Sequence, residues 1–255
     1  MPFTAKSGKF NASINTVEFG TGDKAVKIGG ENVFPLYSFD AAIENAPKVG
    51  IEITDFGMEH EPECIKKYYE GCATLADMAR KAASMEGVDF LSFRMEGGDP
   101  NGANKSTEEL IGELKEIADA VDLPLVVCGC KNVEKDAELF SKAAEALNGK
   151  NAVILSAKEE NYKTVGAAAG LAYKQIVGAE SAVDINLAKQ LNVLISQLGV
   201  DSKSVVMNVG SAAVGYGFEY VISTMDRVKA AALQQGDANP VSYTHLRAHE
   251  TELHL

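Results

Sequence analysis

The sequence predicts an α/β fold: a (β/α)8 TIM barrel read through about six of its strand–helix units, with an N-terminal β-hairpin extension. Six short apolar runs alternate with amphipathic stretches. The runs begin at residues 49, 88, 125, 152, 176 and 205, about 31 residues apart on average. None opens into a glycine-rich phosphate loop such as GxGxxG, the commonest use of an open doubly wound sheet. Short strands that are apolar throughout belong to parallel sheets covered on both faces, and a series of such units makes the class α/β.

Residues 1–48 precede the series. Within them Val17 to Phe19 and Val26 to Ile28 flank GTGD, a turn signal, and read as a hairpin. It is either a plug for the N-terminal end of the barrel or an exposed lead-in. Val49 to Thr54 is the first strand, followed by a helical pattern through Ile65, Tyr68, Tyr69, Cys72, Leu75, Ala76 and Ala79. Val88 to Phe93 precedes a helix with Leu110, Ile111, Leu114, Ile117, Ala118 and Val121 on one face, with Glu108 and Glu109 where the helix dipole favours negative charge. Leu125 to Cys128 leads to Val133, Ala137, Phe140, Ala144 and Leu147 at helical spacing.

Ala152 to Leu155 is succeeded by a helix through Tyr162, Val165, Ala169, Ala172 and Tyr173. Ile176 to Ala179 gives way to Leu187, Leu191, Leu194, Ile195 and Leu198, stopped by Gly199. Val205 to Met207 is followed by a helix from near Phe218 to about Leu233. Residues 49–240 thus hold six units. Two more would occupy roughly 60 residues beyond Pro240 and complete a barrel of eight near 300 residues. The last fifteen residues, VSYTHLRAHETELHL (241–255), follow neither a helical nor a strand period. Val241 to Thr251 resembles the translation of a transposase adapter used in sequencing libraries, so 241–255 is expected to be non-native.

Composition bounds the function. The 255 residues are 46% hydrophobic with a net charge of −12. An acidic chain without a basic patch repels phosphate backbones, which argues against nucleic acid. No apolar run approaches the roughly 18 residues of a membrane span. The N-terminal MPFTAKSGKF has no apolar stretch of the secretory kind, and a cytoplasmic address is expected. Three of the four histidines lie in the tail, leaving His60 alone and weakening any hydrolase or histidine–metal reading. Cys64 and Cys72 fall on an apolar stripe and read as packing residues, while Cys128 and Cys130 share a strand end. That spacing does not suit an iron–sulfur cluster in this chain.

In a barrel, function gathers on the loops after the strands. The first strand is followed by Asp55, Glu59 and His60, and the second by RMEGGDPNG with Arg94, Glu96 and Asp99. CGCKN, SAKEEN, Glu180 to Asp184 and NVGSAAVGYG follow the others. Asp55 and Glu96 are candidate acid–base groups or metal ligands; Asp184 is either such a group or the N-cap of DINLAKQLN. Gly210, Ser211, Gly215 and Gly217, with Tyr216 among them, form the most unusual loop. Its small residues let backbone approach a large flat ligand closely.

Four segments carry a family resemblance: GYGFEYVISTMDRVKAAAL (215–233), SAKEENYKTVGAAAG (156–170), DINLAKQLN (184–192) and PLVVCGCKNVEKDAE (124–138). With GTGDKAVKIGGENVFPLYSFD (20–40), they resemble the small subunit of the corrinoid iron–sulfur protein, the family of the acetyl-CoA decarbonylase/synthase delta subunit. The resemblance implies a barrel paired with a large (gamma) subunit that carries the [4Fe–4S] cluster, with a corrinoid (cobalamin) at their interface. It also implies methyl transfer from methyltetrahydrofolate, through a separate methyltransferase, to acetyl-CoA synthase in the reductive acetyl-CoA pathway. The expected corrinoid-facing residues are Asp184, Asn186, Asn208, Gly210, Ser211, Gly215, Tyr216 and Gly217. Two alternatives remain at this point. One is a pterin-dependent methyltransferase using Asp55, Asp184, Asn186 and Asn208. The other is a structural scaffold subunit.

Overall fold

A computed structural model describes residues 10–33, 44–210 and 214–236. Strands β1 (Thr16–Phe19) and β2 (Val26–Gly29) pair antiparallel, Thr16 opposite Gly29. The main sheet contains β3 (Gly50–Thr54), β4 (Phe90–Arg94), β5 (Leu125–Cys128), β6 (Val153–Ala157), β7 (Ile176–Glu180) and β8 (Val205–Asn208). Its six strands are parallel and ordered as in the sequence, with no reversal. A sheet without a reversal has no switch point of the doubly wound kind. Right-handed crossovers that always step the same way leave every connecting helix on one face.

The two faces differ in chemistry because side chains alternate along each strand. One row runs Ile53, Phe93, Val127, Ile154, Val177 and Val205 through the registered pairs. These residues are at most 3% exposed, and the row backs the helices. The other row carries Glu52, Ser92, Arg94, Cys128, Glu180 and Asn208. Polarity on that row rises toward the C-terminal ends of the strands, which is where the candidate site lies.

Helices α3 (Thr107–Ala120), α4 (Val133–Ala146) and α6 (Ile185–Gln197) each start on a side-chain cap. Ser106 accepts from Glu109 N at 3.2 Å, and Asn132 accepts from Lys135 N at 3.0 Å. Each cap satisfies a backbone donor that the first turn leaves unpaired. Helix α7 (Phe218–Gln235) lies between two left-handed glycines, Gly217 and Gly236, starting where expected and ending two residues later.

Two expectations are corrected. The pattern from Ile65 to Ala79 is not one helix but α1 (Glu63–Tyr68) and α2 (Leu75–Ala83). Gly71 at φ +88° ends the first, and a Thr74–Asp77 capping box starts the second. Cys64, read as a packing residue, is consequently exposed, whereas Cys72 packs partly buried against the core. The fourth unit holds α5 (Tyr162–Val165), which widens into a π-helical stretch, Gly166–Ala172. A Cβ on Gly170 would meet Val200 at 2.7 Å, so glycine lets this wide turn lie directly on its neighbour.

The hairpin lies across the N-terminal ends of the strands, as a plug does. Gly20 N donates to Asn151 O at 2.7 Å, and Asn151 Nδ2 donates to Glu18 O and Gly20 O. Gly20 has φ +82°, and a Cβ there would run into Pro124, which precedes β5. Val17 and Phe19 are buried, with Phe19 edge-on to Phe90 at 5.7 Å. Ser211, Pro240 and the tail 241–255 lie outside the described residues.

Candidate functional site

Two adjoining cavities open at the C-terminal ends of the strands, where parallel α/β folds bind ligands. The smaller, about 290 Å3, lies between the loops after β4 and β5 and is lined by Glu96, Asp99, Cys130 and Asn132 among others. The larger, about 410 Å3, runs along β4–β8 and is lined by Asp136, Ser156, Lys158, Glu180, Asn208 and Gly210 among others. Arg94 and Lys131 line both.

On the β3–β5 side the polar groups are bound to one another. Arg94 donates from Nε and Nη2 to the two oxygens of Glu52, each at 3.0 Å, a bidentate pair of fixed geometry. The Asp55 carboxylate, fully buried, accepts from Gly97 N at 2.9 Å and meets Lys105 Nζ at 3.1 Å. Lys105 also reaches Glu113 at 3.2 Å. Burial disfavours its charge, yet the bonds to Asp55 and Glu113 hold the Lys105 ammonium above its ordinary value. Burial pushes the Glu113 carboxyl up, and its Oε2 has no hydrogen-bond partner among the described residues.

The turn after β5 wraps a third carboxylate. Asp136 accepts from Cys130 N at 2.7 Å, and a Cβ on Gly129 would fall onto it. Burial raises the Asp136 carboxyl and pushes the Cys130 thiol up to about 11, so Cys130 stays a thiol at neutral pH. The turn then places Lys131 at φ +72°, left-handed backbone rarely adopted by residues other than glycine.

The β6–β8 side presents its polar groups to the cavity. Asn208 donates from Nδ2 to Ser156 Oγ at 3.0 Å and accepts from Gly210 N at 3.0 Å, which fixes the amide. Lys158 pairs with Glu180 at 3.5 Å. Ala182 and Val183 both have positive φ, +45° and +70°. Val183 N bonds Val209 O at 2.7 Å, tying the loop after β7 to the one after β8. Beyond, Val214 and Tyr216 are 80% and 89% exposed, with Tyr220 also exposed on the first turn of α7.

Of the residues expected at the site, Asn208 and Gly210 line the larger cavity. Asp184 is the N-cap of α6, accepting from Asn186 N at 2.8 Å and Leu187 N at 3.2 Å, and Asn186 is exposed beside it. Gly215, Tyr216 and Gly217 form the exposed turn into α7 and line neither cavity; Ser211 lies outside the described residues. Asp55 is taken up by Lys105, while Glu96 stands exposed at the rim of the smaller cavity. His60 is exposed against Phe56. Among the described residues no group of three or more His, Cys, Asp or Glu side chains is placed to hold a metal ion. No helix there is long and apolar enough to cross a membrane.

Lys131, Ser156 and Lys158 were missed as site residues. CGCKN and SAKEEN marked their loops, but nothing in those strings distinguishes a cavity lysine from a solvated one.

A family model described as the CO dehydrogenase/acetyl-CoA synthase delta subunit matches residues 16–253. The acetyl-CoA decarbonylase/synthase complex subunit delta of Methanothermobacter thermautotrophicus is 31% identical over 233 residues, 90% of this chain and 59% of that protein. Subunit delta 1 of Methanosarcina thermophila is 30% identical over 219 residues, 86% of this chain and 50% of that protein. For subunit delta of Methanopyrus kandleri the figures are 32% over 217 residues, 84% and 54%. The chain therefore spans little more than half the length of the curated relatives it matches.

Proposed function

The chain belongs to the CO dehydrogenase/acetyl-CoA synthase delta subunit family, and we propose that it covers a corrinoid held jointly with a larger partner subunit. In this reading the six sequential strands are the first six of a (β/α)8 barrel whose C-terminal face meets the cofactor. The partner is the large subunit of a corrinoid iron–sulfur protein, which carries the [4Fe–4S] cluster. The pair passes methyl groups between a methyltetrahydrofolate methyltransferase and acetyl-CoA synthase in the acetyl-CoA pathway.

The observation that carries this reading is the β6–β8 rim, where Ser156, Lys158 and Asn208 line the larger cavity, together with the exposed apolar Val214 and Tyr216 in the segment that leads into α7. A corrinoid is a broad flat macrocycle fringed with carboxamides, and the residues present fit such a group. Gly215 and Gly217 leave the backbone open to close approach, Val214 and Tyr216 offer exposed apolar side chains, and Asn208 supplies an amide held in one orientation. When bound, a corrinoid supplies nucleophilic cobalt for methyl transfer. This chain's residues would orient the ring's edge, exclude water from one face and leave the other to the partner.

No observation favours the pterin alternative. Of its four residues, only Asn208 lines the larger cavity, and Asp55 and Asp184 are occupied by Lys105 and by the α6 cap. Co-expression with the large subunit tests the proposal. A heterodimer with a corrinoid absorption spectrum is expected, and Asn208→Leu with Tyr216→Ala should lower its cobalt content while the two subunits still co-purify. A stable heterodimer without cobalt overturns the proposal. Undiminished cobalt in the double variant leaves the scaffold reading in its place.

A further inference from the structure

We infer that the larger cavity contains a subsite for an oxyanion, a phosphate or carboxylate group, held by Lys131 and Lys158 with Ser156 and Asn208. The case rests on which hydrogen-bonding capacity the wall has left. Each of its acceptors already holds a donor: Asp136 takes the Cys130 N–H at 2.7 Å, Glu180 faces Lys158 at 3.5 Å, and Asn208 Oδ1 takes the Gly210 N–H. Its donors have protons to spare. Ser156 Oγ accepts from Asn208 Nδ2, so the hydroxyl proton is directed to something else, and Asn208 Nδ2 keeps a second N–H.

Lys158 has two protons beyond the one aimed at Glu180. Lys131 is exposed, and its ammonium makes no ion pair or hydrogen bond with the described residues. A wall whose donors have protons to spare favours a group that accepts, and because Glu180 already faces Lys158, it is the unpaired Lys131 ammonium that favours one carrying negative charge. Lys131 supplies an independent indication. Its backbone sits at φ +72°, where glycine would be favoured, so the position keeps a long cationic side chain against a backbone preference.

At about 410 Å3 the cavity is much larger than one such group, so the oxyanion is one end of a larger ligand. The inference concerns the same cleft as the corrinoid reading and rests on it only for the identity of that larger ligand. Small probes test the subsite alone, and cobalt content tests the reading, so the two can fail separately.

The experiment titrates the purified 255-residue chain, at fixed ionic strength, with inorganic phosphate, dimethyl phosphate and glutarate. Saturable binding of at least one is expected. Preference for the diester points to a phosphodiester within the ligand, and preference for glutarate to a carboxylate tail. Lys131→Gly should weaken binding at least tenfold while raising Tm, because it removes the ammonium and relaxes the backbone together. Ser156→Ala should weaken binding severalfold. Failure of all three probes to saturate overturns the inference, as does a Lys131→Gly chain that binds as tightly as the parent.

Discussion

The two halves of the cleft are built on opposite plans. Around the ends of β3–β5, buried charges are paired: Arg94 with Glu52, and Asp55 with Lys105 and Gly97 N. Around β6–β8, the chain holds Ala182 and Val183 in left-handed backbone and leaves Tyr216 and Val214 in solvent. The first half is a foundation, because breaking one of its pairs leaves an uncompensated buried charge. The second is a working edge, where strain and exposure are kept at some expense in stability.

The sharpest way to break this contrast is Asp55→Ala. It should destabilise the chain by about 3 kcal/mol, because Lys105 and the Gly97 N–H both lose a buried partner. A denaturant melt showing less than about 1 kcal/mol would remove the foundation from the comparison.

Gly129→Ala comes next, at about 2 kcal/mol, from driving a methyl group onto the Asp136 carboxylate. In an Asp136→Ala background the same change should be far milder, and equal penalties in the two backgrounds would refute the contact.

On the working edge the sign reverses. Ala182→Gly, at an exposed position with φ +45°, should raise stability by roughly 0.5–1 kcal/mol, read as a higher Tm. A lower Tm would show that this edge is not strained.

The smallest effect concerns pH. Burial raises the Glu113 carboxyl, so the folded state prefers it protonated. Its contribution to stability is therefore present below the ordinary value of 4.5 and is lost as pH rises through the higher folded value. Glu113→Gln lacks that loss, and its Tm relative to the parent should climb as pH goes from about 4.5 to 7. A difference that is flat with pH would show that Lys105 fully compensates the charge.

Much of the architecture was legible because periodicity reports burial directly. Six apolar runs correspond to the six parallel strands, and of the two readings open for Asp184 the structure takes the cap, which its residue type had suggested. The break between α1 and α2 was harder to read, since both helices keep the same apolar phase and only Gly71 and the Thr74–Asp77 pair separate them. The π-helical stretch was hidden for a related reason: Gly166–Ala172 is small-residue sequence that continues a helical pattern whichever way it winds.

The site was legible in part. Asn208 and Gly210 were found because they follow a strand end, while Asp55 looked equally promising and proved to be bound within the wall. What separates them is the partner. Lys105 lies 50 residues along the chain from Asp55, and no local pattern announces a contact of that range.

The N-terminal hairpin carries a consequence for biosynthesis. Its bonds to Asn151 join residues up to 133 apart, so the hairpin, made before the main sheet, cannot complete its docking until the chain reaches β6. At translation rates of about 5–20 residues per second, that is a wait of roughly 7–27 s. Until then Val17 and Phe19, buried in the finished protein, lack part of their final cover. The plug is therefore made before the strands it closes, and its docking onto Asn151 waits on a segment made long after it.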